Sequence, residues 1–314
     1  SDGFVFRPIV VIVDFSNEDV WPSGIQLSGA FLSDLSTTAK RPLLYMAADQ
    51  SKGGGPSDPV VARKTFHSTL AHELHHAVVD WYRARGTTVR PETLAVDEGL
   101  AHFIQDLFGY GEVGFDGIAK PFLFSLIEGN VPFLSGGAED QKVFRGAAHT
   151  LIHYLVSQKG GVSFSSGKVS GGAGLDALAS MVKSTAGNGA PSLRAAFSTD
   201  WSATLGGFLG ALIMDGTSIS GVKSQFSTQA VVEGLTDLEG TSGKTFGMRF
   251  NGFASMPDRL ARYVESTNAA VKGGEKALDI YQTLPLRHVV KSSSASLSLE
   301  FELASNAVQV VRIK

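Results

Sequence analysis

Leu70 to His76 reads Leu-Ala-His-Glu-Leu-His-His, and within it His72, Glu73 and His76 stand in the pattern His-Glu-x-x-His. On a helix, residues four apart share a face, so His72 and His76 can direct ring nitrogens at one ion. Glu73 is turned about 100° from His72 around the helix axis. That rotation takes it out of the ligand pair but leaves it able to reach a water activated by the metal. Two imidazoles to hold an ion and a carboxylate to take a proton from that water make a hydrolytic zinc site. His75 sits three residues after His72 and could compete as a ligand. Choosing it would leave Glu73 without a task, so His75 is expected to flank the site in packing or substrate contact. His67 lies off the face of His72 and is expected at the surface or behind a ligand.

Zinc of this kind needs a third protein ligand and an open position for water. Glu98, in Val-Asp-Glu-Gly-Leu-Ala-His-Phe, is the choice; it lies 22 residues beyond His76. That is enough chain for one helix to end, turn and send a second helix back across the first. The alternatives are Glu92, Asp97 and His102. Asp97 points elsewhere on a helix, and His102, one turn beyond Glu98, is better placed to orient a ligand carboxylate or imidazole by hydrogen bonding.

These residues need elements to position them. The run from Val60 to Arg85 contains neither Gly nor Pro and reads as one long helix. Ser57 is the expected N-cap, Pro59 stands just inside the helix, and Arg83 and Arg85 occupy a last turn where the helix dipole favours cations. Pro91 is placed to open a second helix through Phe108, closed by Gly109. Strands are expected over Phe4 to Asp14, rich in Val and Ile, and over Pro42 to Met46. Further helical patterns cover Pro121 to Glu128, Glu139 to Gln158, Leu175 to Ser184 and Ser202 to Ile213. Between them Lys159 to Gly174 is Gly/Ser-rich, either an exposed loop or a sharp hairpin. After Asp215 Gly, Ser and Thr are dense through Gly252, followed by a short helical pattern at Asp258 to Glu265. Ala295 to Ile313 alternates apolar and polar residues in two strand-like runs. The fold class is α+β: an N-terminal sheet, a helical centre that holds the chemistry, and a small β segment at the C-terminus.

Composition narrows the partners. With 27 basic and 30 acidic side chains in 314 residues, a net charge of -3 offers no field for nucleic acid or anionic lipid. Apolar residues make up 43% of the chain, near the norm for soluble globular domains. The most apolar segments, Pro8 to Val13 and Leu205 to Met214, fall well short of the roughly 20 residues that cross a bilayer. Cysteine is absent, so any metal must sit on His, Asp or Glu. No EF-hand spacing signals calcium. No signal peptide stands in these residues, and Ser1 in place of Met is what a processed or truncated chain shows. Oligomeric state leaves no mark in the sequence.

His-Glu-Leu-His-His followed by Asp-Glu-Gly-Leu-Ala-His-Phe-Ile-Gln-Asp-Leu-Phe-Gly-Tyr-Gly resembles the gluzincin metallopeptidases, and within them looks closest to the hyicolysin-like neutral zinc peptidases of bacteria. The resemblance is specific over about residues 1–160 and rests on general character beyond. It implies His72, His76 and Glu98 as zinc ligands and Glu73 as catalytic base. It also implies a small residue, Gly99, where helices approach, and Gly109, Tyr110 and Gly111 in a closing turn. A zincin-like fold follows: a catalytic region over 1–270, split into an N-terminal subdomain of about 1–85 and a helical subdomain of about 86–270, with 271–314 as a C-terminal β segment. Secretion, or a cell-surface or periplasmic location, is implied in the same way. Two positions depart from the family pattern. Asp97 stands where Asn is usual, so when ionised it accepts hydrogen bonds from substrate but cannot donate them. His102 stands where a thermolysin-like site has an Asp supporting a zinc histidine.

The implied reaction is zinc-dependent endopeptidase hydrolysis of a protein or peptide substrate, with Glu73 moving the proton to the leaving amine. The oxyanion needs a donor besides the metal, in gluzincins a Tyr or His. His149, His153 and Tyr154 on the helix through Gln158 are the candidates there; His149 is preferred, with Tyr110 and His153 behind it. Arg145, one turn before His149, is a candidate for a substrate carboxylate. A non-peptidase zinc amide or ester hydrolase shares the same residues and differs in the shape of the cleft. A catalytically silent binding protein on this scaffold would be expected to lose Glu73 or a ligand, and none is lost.

Overall fold

In a computed structural model of the chain, the described residues are 5–13, 28–48, 58–85, 92–111, 141–184, 187–214, 232–237 and 240–246. The helical patterns at 121–128 and 258–265, the strands expected within 295–313, and the whole of the segment 271–314 lie outside them, as do Ser57 and Pro91.

The β-branched run Ile9–Val13 forms β1, which pairs in parallel with β3 (Leu43–Ala47), Ile9 opposite Leu43 through Val13 opposite Ala47. A strand not anticipated from sequence, β2 (Gly29–Phe31), pairs antiparallel on the other side of β3. The sheet is therefore mixed, in the order β1-β3-β2, with β3 central and its Leu44, Met46 and Ala47 buried. A short helix, α1 (Ser33–Ala39), links β2 to β3. Gly29 lets β2 lie close against the long helix α2 (Pro59–Val79): a Cβ there would stand 2.7 Å from Thr69 Cγ2.

Asp58 rather than Ser57 caps α2, its carboxylate accepting the Val60 and Val61 amides at 2.7 and 3.4 Å, with Pro59 next in line. The α-helical part ends at Val79, and a π-helical turn over Asp80–Arg85 completes the expected helix. Arg83, expected in the last turn for its favourable interaction with the helix dipole, is buried there. It donates to Glu92 and to the Gly187 carbonyl, while Glu92 also accepts from the Gly189 amide and, at 2.8 Å, from Ser192 Oγ. Glu92, one alternative for the third ligand, is thus spent in fastening this turn to the helix α6 (Ala190–Phe197).

The helix α3 (Leu94–Leu107) starts after Thr93, later than Pro91 suggested, and is closed by Gly109 and Tyr110 amides returning to Asp106 and Gln105 carbonyls. It packs along α4 (Gln141–Gln158). The approach is close: a Cβ on Gly99 would meet Ala148 Cβ at 2.6 Å and the His149 amide at 2.8 Å. The small residue expected where helices meet therefore serves α3 against α4. Val96, Leu100 and Phe103 of α3 with Leu151, Ile152 and Leu155 of α4 form the centre of the core. The Gly/Ser-rich stretch is a hairpin of β4 (Ser163–Ser165) and β5 (Lys168–Gly171). Helices α5 (Ala173–Lys183), α6 and α7 (Trp201–Met214) follow. Strands β6 (Val232–Leu235) and β7 (Lys244–Phe246) then pair antiparallel and send Leu235 and Phe246 into the core. Among the described residues no helix is long and apolar enough to cross a membrane.

Truncating one member of a buried, hydrogen-bonded ion pair leaves the other charge uncompensated and costs about 3–5 kcal/mol. Arg83→Ala is expected to lose that much stability in urea unfolding; a loss under about 1 kcal/mol would show that the pair behaves as a surface one.

Candidate metal centre

The inward face of α2 carries Ser68, His72, Glu73 and His75 where a helix of its length would ordinarily bury apolar side chains. Facing it, α3 buries Glu98, His102 and Gln105, while its buried Asp106 turns toward α4. Placing this many polar groups indoors is unfavourable unless each finds a partner, and the partners define the site.

Gln105 organises it. Its amide nitrogen donates to Ser68 Oγ at 2.7 Å and to the Ser68 carbonyl at 3.2 Å. A carbonyl only accepts, so the amide orientation is settled and Gln105 Oε1 must face the other way. There it meets Nδ1 of His102 at 2.6 Å and Nδ1 of His72 at 3.3 Å. Both rings therefore donate Nδ1–H, and when neutral both present Nε2 as a bare lone pair. His76 is held alike: its Nδ1 donates to Asp97 Oδ2 at 2.8 Å. Asp97, weighed as a ligand or a substrate contact, orients His76, and its other oxygen lies 3.6 Å from His75 Nε2.

The freed nitrogens converge on Glu98. His72 Nε2 is 3.2 Å from Glu98 Oε2, and His76 Nε2 is 3.9 Å from Oε1. Ligand atoms of His72, Glu98 and His102 lie within 4.8 Å of one another, and the buried His102 Nε2 has no hydrogen-bond partner among the described residues. Lone pairs opposed to a carboxylate repel unless a cation stands between them. Imidazole nitrogens with one carboxylate suit zinc, and hydrogen bonds to the far ring nitrogens are what ligand histidines characteristically make. His102, weighed as an alternative ligand but preferred as a residue that orients one, thus joins the group that could hold the ion.

The electrostatics tell the same story. Burial disfavours charge on Glu98, but His72, His76 and Arg145 outweigh it and hold its carboxyl down at about 2. Arg145 Nη2 stands 3.2 Å from Glu98 Oε1. Burial likewise opposes charge on His76, yet Asp97, with help from Glu98 and Glu73, lifts that imidazole to about 9. With no metal bound, a proton on His76 supplies the cation. Burial keeps His75 and His102 below the ordinary imidazole range.

Glu73 is buried beside this group, its Oε2 accepting the Phe31 amide of β2 at 2.7 Å. The sheet edge thus fixes the carboxylate expected to act as base. His149 and His153 assemble elsewhere. Both Nε2 atoms contact Asp106 Oδ2, at 2.7 and 2.6 Å, and this trio is a second group able to hold a metal. His149, expected as oxyanion donor, is fully enclosed behind His102, ring centroids 5.8 Å apart. Tyr110 is buried in the turn that closes α3.

Gln105, Ser68 and Asp106 were not anticipated. Gln105 and Asp106 sit three and four residues after His102, the one signal that they share its side of the helix.

Replacing a residue that orients ligand histidines typically costs 10–100-fold in metal affinity. Gln105→Leu is expected to weaken zinc binding by about that factor, measured by competition with a chromophoric chelator; unchanged affinity would remove Gln105 from the site. A second expectation concerns pH. The folded value of His76, about 9, lies above its usual 6.5, so its contribution to the metal-free fold is complete below 6.5 and fades as pH rises through 9. Chelator-treated protein should lose stability across that window, while zinc, which must displace the proton, should bind more tightly. Urea titrations and zinc competition at both ends of the window check the two signs.

No family model matches the chain, and no curated protein or solved structure shows significant similarity to it, so its function is read from the site itself.

Proposed function

We propose that the chain is a zinc-dependent endopeptidase of the gluzincin type, with His72, His76 and Glu98 as ligands and Glu73 as general base. The observation that carries this reading is the convergence of His72 and His76 Nε2 on Glu98, with each Nδ1 bonded away from the meeting point. When bound, zinc supplies Lewis acidity, which lowers the pKa of water and polarises a carbonyl. Glu73 takes the proton of the attacking water and passes it to the leaving amine. Its Oε2 is held by the Phe31 amide, which fixes the direction in which Oε1 is offered. His102 adds a donor beside the ligands. His149, spent on Asp106 and enclosed, suits a role in packing against His102 rather than in touching substrate.

The neighbouring sheet supports a peptide substrate over a small amide or ester. Among the described strands β2 pairs only with β3 and so forms an edge of the described sheet, and it runs directly past Glu73. An extended peptide adds to such an edge through main-chain hydrogen bonds, which carries a backbone carbonyl toward the base. Export rests on the family resemblance alone.

Hydrolysis of casein by zinc-loaded wild type and Glu73→Gln tests the proposal. The amide cannot accept the proton, so activity should fall by about 10²–10⁴-fold while zinc content stays unchanged. Equal cleavage by both would exclude Glu73 as base, and zinc in both with cleavage by neither would favour a silent binding protein.

A further inference from the structure

Asp106, His149 and His153 lie apart from the ligands of the catalytic ion. Asp106 comes from α3 and the histidines from α4, one helical turn apart as His72 and His76 are on α2, so both rings face one point between the helices. One ligand atom from each lies within 4.8 Å of the others. Neither histidine has exposed surface, and Asp106 retains 2%. Beside His153 the surroundings are aromatic: the rings of Phe103 and Phe246 stand 4.7 and 5.3 Å from its own.

A carboxylate in such surroundings requires a cation or a full set of donors. The donors present are badly distributed. Both Nε2 atoms crowd Oδ2 at 2.7 and 2.6 Å, and among the described residues neither Asp106 Oδ1 nor the buried His149 Nδ1 has a hydrogen-bond partner. A network of hydrogen bonds alone would spread two donors over two oxygens. Two ring nitrogens and an oxygen drawn to one point is the arrangement a metal ion favours.

We propose that Asp106, His149 and His153 bind a second zinc ion, a structural one that clamps α3 to α4 behind His102. Two nitrogens and one oxygen suit zinc, whereas calcium and magnesium favour shells made of oxygen. Tetrahedral bonds of 2.0–2.1 Å set ligand atoms about 3.3 Å apart, so the side chains must open by about half an ångström, a small rotamer adjustment. Enclosure separates this ion from the catalytic one. His72, Glu98 and His102 keep 8 to 9% of their surface, while His149 and His153 keep none. A chelator in solution reaches the first site and is shut out of the second, whose ion enters as the chain folds.

The test is metal content by mass spectrometry after expression in zinc-supplied medium and dialysis against dipicolinate. The double variant His72→Ala, His76→Ala should keep one equivalent of zinc, released only on unfolding in guanidinium, and adding Asp106→Asn should remove it. If circular dichroism shows that the double variant is unfolded, dialysed wild type gives the same reading, one equivalent that survives the chelator and leaves on unfolding. Folded protein without retained metal, or metal that persists through Asp106→Asn, overturns the proposal.

Discussion

Glu98 brings a negative charge into a space walled by imidazole nitrogens whose opposite sides are already bonded, and much of the structure follows from the need to supply that carboxylate with a cation. A proton on His76 meets the need in part, and Arg145 in part. The three rings and the carboxylate together describe the place of an ion more completely than either does. Each ring is turned by a named acceptor: Gln105 for His72 and His102, Asp97 for His76. Those acceptors are themselves held, Gln105 by Ser68 and Asp97 in the first turn of α3, where the helix dipole favours an acid.

The larger elements serve this arrangement. Helix α3 can present Glu98, His102 and Gln105 to α2 because its opposite face is fixed against α4, and Gly99 permits the close contact. Past the histidines of α2, the buried Arg83–Glu92 pair ties the π-helical turn to α6, so the helix is anchored at that end. At the other boundary β2 reaches over to bond Glu73. A helix whose inner face is polar gains little from burial alone, and these external fastenings offset that.

What the sequence made legible was local. That His72, Glu73 and His76 share one helix could be read because it depends on spacing within a single element, and the α+β class followed from the strand-like and helical runs on either side. Glu98 was reachable by asking how much chain a returning helix requires. Gln105, Ser68 and Asp106 were not, since most of their partners lie 33 to 47 residues away and the only local mark is the spacing of Gln105 and Asp106 after His102. Arg83 read only as a cation suited to a helix end and Glu92 as an alternative metal ligand, because burial of the two as a pair is a tertiary outcome. The strand β2 escaped notice for another reason: three residues are too few to establish an alternating pattern.

The most direct test is diffraction from crystals grown with zinc, measured at wavelengths on either side of the zinc absorption edge. The account predicts an anomalous peak about 2.0–2.1 Å from Nε2 of His72 and of His76 and bonded to Glu98, with both Nδ1 contacts kept. Crystals saturated with zinc that show no peak between those three side chains, only elsewhere, would contradict it.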